Sequence, residues 1–391
     1  MKCYAAYAKD EQIRKQGSSG ALFPLLSTAC IRNGGVVYAS VYGEQLNVRF
    51  ARVEDEEGLQ KTFTSKYVQS TLGDTFRSLE ADLKAERSVL FCGTQCQAAG
   101  LRRYLNKRRV NSDRLLLAEI ICHGVPSPDV FQKFMKAAYP DCTSINMRNK
   151  DLGWDWGTYA WKLGFTDGTE KVYPLEEVAY MKGFQSKIFL RPSCYHCAAK
   201  PGKAADITLG DFWGLCYVND QIPTRYGVSA VILRTKAGEE AFSAVSEVLE
   251  CFEVEYEDIL QGNPRLETSV PKPVYRDRFF KKLRSRPDGD IVALINDAST
   301  PSFTDKVINK LYSKLPQGST PVRHLTGKGE RVLYASKEQC CGCSACYSIC
   351  PTDAISMKKD SEGFLYAVID ETKCVNCGAC TSVCPFAASQ A

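Results

Sequence analysis

The chain has 391 residues, with 50 basic against 45 acidic side chains; a net charge of +5 gives no ground for a nucleic-acid partner. Its 44% hydrophobic content fits about two or three domains with real cores, and no apolar run approaches the roughly 20 residues needed to span a bilayer. Nineteen cysteines in so long a chain, opening on MKCYAAYAKD without an apolar leader, point to metal ligation in a reducing cytoplasm and away from a disulfide framework.

Taken in chain order, Gly17-Ser18-Ser19-Gly20 opens the apolar stretch ALFPLLSTACI, which reads as a helix. Small residues there expose backbone N–H groups where the helix dipole favours an anion, and a serine N-cap is the plain alternative. IRNGGVVYASVY reads as a turn and a strand, and NVRFARV as a second strand. SVLFCGTQCQAAGLRRYL is a buried strand, a glycine turn and a helix, and LLLAEIICHGVPSPDVFQKFMKAAYP repeats that order, with Pro126 and Pro128 helping to start its helix. Two such units predict an α/β body with helices packed on a sheet. WGTYAWKLGFTDGTEKVYPL, with its Asp167-Gly168 turn, predicts a short antiparallel insert.

Chemistry-bearing residues gather at the ends of these strands, where α/β proteins place their sites. Cys96 follows the Gly93-Thr94 turn, and Cys122-His123-Gly124 holds the matching place in the next unit. Cys194-x2-Cys197 precedes Ala205-Asp206-Ile207-Thr208-Leu209-Gly210-Asp211. Four cysteines reaching one crevice would suit an iron–sulfur cluster. Cys92 is expected to point into the core; Cys3, Cys30, Cys142, Cys216 and Cys251 read as small buried hydrophobes. Two basic runs, from Arg102 to Arg109 and from Lys281 to Arg286, read as solvated helix faces or as a docking patch for an acidic redox partner.

Residues 288–330 loosen into a tether around one expected helix near KVINKLYSKL. The tail, 331–391, carries Cys340-x2-Cys343-x2-Cys346-x3-Cys350-Pro351 and then the same series at Cys374, Cys377, Cys380, Cys384 and Pro385. In a two-cluster ferredoxin the fourth cysteine of each run serves the other cluster. One centre is therefore assigned Cys340, Cys343, Cys346 and Cys384, and the other Cys374, Cys377, Cys380 and Cys350. Zinc would need two ligand pairs in place of this doubled series. Cys341 is out of phase and reads as a bystander.

QGSSGALF, TSKYVQS, FCGTQCQAAGL, ICHGVPSP and RPSCYHCAAKPGKAADITLGDFWG together resemble the beta-subunit family of coenzyme F420-reducing hydrogenase and F420-linked dehydrogenases, which includes plant 7-hydroxymethyl chlorophyll a reductase. The resemblance covers about residues 3–287. It implies a flavin-binding body, 1–287, of α/β class with an α+β insert, followed by a small C-terminal 2[4Fe-4S] ferredoxin-like domain. It assigns FAD contacts to Gly17, Ser18, Ser19, Gly20, Ser65, Lys66, Tyr67, Val68, Gln69 and Ser70, and a third [4Fe-4S] cluster to Cys96, Cys122, Cys194 and Cys197. Lys66 is suited to offset phosphate charge and Tyr67 to stack. Asn146-Met147-Arg148-Asn149-Lys150 resembles the substrate side of the flavin, with Arg148 and Lys150 as anion contacts; surface charges above Trp154 and Trp156 are the plainer reading. Two departures stand: the family's Gly-Thr-Pro-Cys is here Gly93-Thr94-Gln95-Cys96, and the ferredoxin-like segment follows the flavin body where many relatives place it first.

The expected function is an iron–sulfur flavoprotein oxidoreductase. Electrons would run between ferredoxin or another redox protein and a small organic substrate, through three clusters and FAD. Two alternatives are an F420 oxidoreductase subunit of a hydrogenase or dehydrogenase and a non-enzymatic electron-transfer subunit. No catalytic side chain is required, and a homo-oligomer is left open.

Overall fold

The computed structural model describes residues 1–154, 159–286, 289–300 and 326–387. In chain order the strands of the body are β1 (Lys2–Ala8), β2 (Val36–Tyr42), β3 (Val48–Val53), β4 (Val89–Thr94), β5 (Leu115–Ile120), β6 (Cys142–Asn149), β7 (Ala160–Phe165), β8 (Glu170–Pro174), β9 (Ile207–Asp211), β10 (Ser229–Leu233) and β11 (Leu249–Val254). Eight of them form one mixed sheet in the order β11-β1-β10-β9-β5-β4-β2-β3. The four central strands, β2, β4, β5 and β9, run parallel, and antiparallel neighbours close both flanks. Parallel strands are covered on both faces, which is why β4 and β5 are near-continuous apolar runs. The predicted insert is a separate antiparallel sheet of β6, β7 and β8, and Gly168 makes its hairpin turn at φ +80°.

Both expected strand–turn–helix units are present. β4 feeds the helix Gln95–Arg108, whose start is fixed by Gln97 Oε1 accepting the Thr94 N–H at 2.9 Å. After β5 the chain crosses to the helix Pro128–Ala138, capped by Ser127, whose hydroxyl oxygen accepts the Val130 N–H at 3.2 Å.

The helix Ile291–Ser299 falls inside the expected tether, yet Ile291 and Ile295 are buried in the largest apolar cluster of the body. The expected helix near KVINKLYSKL lies outside the described residues, as does Trp156.

The tail is a ferredoxin-like unit: β12 (Glu330–Arg331), β13 (Ile355–Lys359) and β14 (Leu365–Asp370) form a small sheet beside the helices Ala345–Ile349 and Ala379–Val383. It shares its core with the body. Tyr334, Phe364, Tyr366 and Val368 join one body cluster, and Cys341, Cys343, Ala345, Ile349 and Phe386 join another with Phe76, Leu101 and Tyr104. A buried ion pair, Arg276 to Glu362 at 2.6 Å, and Arg77 donating to Ser348 O at 3.0 Å tie the two parts together.

Candidate cofactor cavities and electron path

At the C-terminal ends of β4 and β5 the loops open into a cavity. It is lined by Ser18, Ser19, Ser65, Lys66, Tyr67, Val68 and Ser70, and on its far wall by Cys92, Gly93, Thr94, Cys122, His123 and Asp211. The helix Leu22–Arg32 starts at this cavity. Its N-cap is Ala21, at φ +64°, with no side-chain cap, so the ordinary serine N-cap is not what the Gly-Ser-Ser-Gly segment provides. Ser18 Oγ instead accepts the Ser65 N–H at 3.0 Å, joining the two predicted segments across the mouth of the helix.

Lys66 lies in the same wall. Its ammonium donates to the carbonyls of Thr62 at 2.9 Å and of Phe63 and Thr64 at 3.1 Å. Among the described residues no carboxylate pairs with it, and burial brings its pKa down to about 7. A half-buried cation without a carboxylate partner, beside an uncapped helix start and two serine hydroxyls, is a donor set that fits a phosphate or pyrophosphate. Burial also lowers His123 to about 4, leaving a neutral imidazole at the cavity wall.

Three of the expected flavin contacts stand outside this lining. A Cβ on Gly17 would meet Pro24 Cγ at 2.7 Å, and one on Gly20 would run into the Ala6 carbonyl oxygen, so both glycines permit close packing. Gln69 faces the tail, where its Nε2 donates to Cys341 O at 3.1 Å.

Arg148 and Lys150 are also inside the protein, so they are not the surface charges of the plainer reading. Arg148 is 2% exposed and donates to Asp211 Oδ2 at 2.8 Å and to the Tyr67 hydroxyl, with Trp154 and Tyr159 against its guanidinium. Lys150 donates to the carbonyls of Ser19 at 2.6 Å and Tyr226 at 2.7 Å and to that of Arg14. Neither lines the cavity; both hold its walls. Asp206 likewise ties loops, accepting from Leu117 N–H at 2.8 Å and from Arg102 and Thr235.

A second, smaller cavity shares the wall Thr94, Cys122, Gly124 and Val125 with the first. Cys96, Cys122, Cys194 and Cys197 all line it, so the four expected cysteines are brought together from two strand ends and one later loop. Burial pushes Cys122, Cys194 and Cys197 up, to about 12 for Cys197, and Cys96 is raised first by its Cys341 neighbour and then by burial, as expected of a low-dielectric pocket that favours thiolates only once a cation neutralises them. Cys341 and Arg191 line the same cavity, and neither was expected there. Arg191 is buried and donates to Cys340 O at 2.7 Å, to Leu365 O at 2.9 Å and to Gln69 Oε1 at 2.9 Å. Its position three residues before Cys194 was the available sequence signal.

A third cavity, in the tail, is lined by Cys350, Cys374, Cys377 and Cys380, the crossed set expected for the outer centre. For the inner centre, Cys346 is crowded by burial and by Cys340 and Cys384, and Cys343 has Cys346 and Cys384 as neighbours. Among the described residues no three His, Cys, Asp or Glu side chains converge as closely as a single ion requires. Thiols set around the rim of a cavity suit a multi-iron cluster instead. Part of the basic helix serves this docking: Gly100 lies under Cys343, where a Cβ would meet Sγ at 2.9 Å, and Arg103 reaches Cys384 O at 3.4 Å.

Other cysteines depart from expectation. Cys92 lines the large cavity, though it also packs against a core cluster. Cys3 is buried, but Cys216 and Cys251 are exposed. No helix of the described residues is long and apolar enough to cross a membrane.

Residues 86–257 match the family described as the C terminus of the coenzyme F420 hydrogenase/dehydrogenase beta subunit, and residues 339–388 match the 4Fe-4S dicluster domain. The resemblance read from the sequence is thereby shown for these two segments. No curated protein matches the chain. Among solved structures it is similar to one described as a xenon derivative of the F420-reducing NiFe hydrogenase complex from Methanosarcina barkeri, at 16% identity and a TM-score of 0.47, over 73% of this chain and 92% of that one.

Proposed function

We propose that this chain, with its beta-subunit segment and its dicluster tail, is the electron-relaying oxidoreductase subunit of a hydrogenase- or dehydrogenase-type system that acts on coenzyme F420 or a similar hydride carrier. One observation carries the reading. The cavity with the phosphate-type donor set and the four-cysteine cavity share a wall, and the tail docks against the far side of the second. Clusters supply single electrons, and a flavin joins two of them to hydride chemistry, so adjacency of the two sites is what such a device needs.

The chain's own residues would divide the work as follows. Ser18, Ser65, Lys66 and the amides opening the helix Leu22–Arg32 hold the phosphate end of FAD. Thr94, Cys122, Gly124 and Val125, the wall common to the two cavities, would form the partition that keeps the two redox groups close. Cys96, Cys122, Cys194 and Cys197 hold the body cluster, and the two crossed tail sets hold the others. The ion pair of Arg148 with Asp211 fixes the floor of the cavity, and neutral His123 offers a hydrogen bond without adding charge. The built-in tail favours one variation, in which ferredoxin delivers the electrons and a small organic substrate takes the hydride directly.

Anaerobic purification with iron, sulfide and flavin analysis tests the reading. It expects about twelve irons and one FAD per chain, and reduction of the flavin when reduced ferredoxin or reduced coenzyme F420 is added. About eight irons would remove the body cluster, and failure to rebind added FAD would remove the flavin.

A further inference from the structure

The tail carries one thiol more than its two clusters need. Cys341 stands between the ligand positions Cys340 and Cys343, and the equivalent place in the second run is Val375, so a ferredoxin-like unit does not require a sulfur there. In the fold, Cys341 lines the four-cysteine cavity of the body together with Cys96 and is absent from the lining of the outer tail cavity. The body holds it there. Gln69 Nε2 donates to Cys341 O at 3.1 Å, and Arg191 Nε to the preceding carbonyl at 2.7 Å. Gly342, at φ +69°, completes the fit, because a Cβ would meet Gln69 Nε2 at 2.8 Å and Arg191 Nη1 at 3.0 Å.

Resting on the cluster assignment above, we propose that Cys341 is a positioning residue that stays off the iron and sets its thiol beside Cys96 in the wall of the body-cluster cavity, where a ligating Cys96 accepts from it, so that the docked tail tunes the body cluster. A ligating Cys96 is a thiolate, and the hydroxyl of Thr94, at 3.2 Å, is a second donor available to it. Hydrogen bonds to ligand sulfurs stabilise the more negative, reduced state and raise the potential of the cluster. Cys341 thereby places a tail atom in contact with the body cluster's own ligand, shortening the gap between the inner tail centre and the body centre.

The test uses the full chain, purified anaerobically, as wild type, Cys341→Ala and Cys341→Ser. Iron content and the midpoint potential of each cluster, followed by EPR, are the readouts, with stopped-flow flavin reduction as a third. The Ala variant is expected to keep about twelve irons. Its body cluster shifts to a more negative potential, and electron delivery to the flavin slows about tenfold. The Ser variant, which keeps a donor, recovers part of both changes. Loss of about four irons in the Ala variant would make Cys341 a ligand and overturn the proposal. So would an unchanged body-cluster potential. Wild-type protein with only about eight irons would overturn the cluster assignment itself, and this inference with it.

Discussion

The two halves of the tail share a backbone and differ in everything around it. Gly342 and Asn376 both sit at positive φ, at +69° and +53°, as do Ser344 and Gly378, at +58° and +70°. Each half then forms a five-residue helix, Ala345–Ile349 and Ala379–Val383. Yet Cys343 is 7% exposed while its counterpart Cys377 is exposed, and Cys341 is 9% exposed where Val375 is 63% exposed. Spacing decides which sulfurs share a cluster; the neighbouring surface decides where that cluster stands in the path. The buried half faces the body and the open half faces outward.

Breaking the inner end should have the largest effect. Cys194→Ser removes a proposed body-cluster ligand that belongs to neither tail set, so iron should fall by about four and the tail centres should survive. Flavin reduction through the tail should drop by more than about 100-fold, the upper range for losing a group that only supports a ligand, measured by stopped flow with reduced ferredoxin. Fast reduction in that variant would mean that electrons bypass the body cluster. Next in size is the ion pair that seats the tail. Arg276→Ala leaves the buried Glu362 carboxylate with only the longer Arg284 contact, at 3.8 Å, and should cost about 3 kcal/mol in urea unfolding. Protease cleavage between body and tail should rise in parallel.

What could be read from the sequence was local. Cluster spacing, the units at β4 and β5 and the hairpin at Gly168 depend on residues a few places apart, and all appear in the fold. The partners of Arg148, Lys150 and Gln69 were not legible, because each reaches an atom far along the chain: Asp211, Tyr226 and Cys341. A charged residue on a strand looks the same in sequence whether it faces solvent or a buried carboxylate. Cys341 was passed over for a related reason. Ligand periodicity marks it as surplus, and only the docked geometry shows what lies opposite.

The pH dependence of flavin binding is a smaller and sharper probe of the body side. In the free protein Lys66 titrates at about 7, below its ordinary 10.5, because burial penalises its charge. The unfolded chain therefore holds more protons between these values, and stability of the flavin-free protein should rise with pH across that window. Binding of the FAD pyrophosphate should restore the proton. Affinity should be flat below about pH 7 and fall by up to about tenfold per unit above it, by fluorescence titration of deflavinated protein. Lys66→Gln should remove this slope and weaken binding at low pH. A slope that persists in the variant would assign the proton to another group.

The smallest effect on folding is expected at the outer end. Val375 borders the outer cavity and is 63% exposed, so Val375→Glu should leave urea unfolding within about 0.5 kcal/mol of wild type. If this face is the docking surface, the added carboxylate should still weaken association with an acidic ferredoxin-type partner by about 1.4 kcal/mol, or tenfold, and more so at low salt. The same substitution at the equivalent inner position, Cys341→Glu, would bury a charge against the body and should prevent the tail from seating. A pair of changes at one repeat position, silent for folding in one half and disruptive in the other, would separate the role of the environment from that of the motif. Equal effects at both would mean that the tail does not rest on the body in solution.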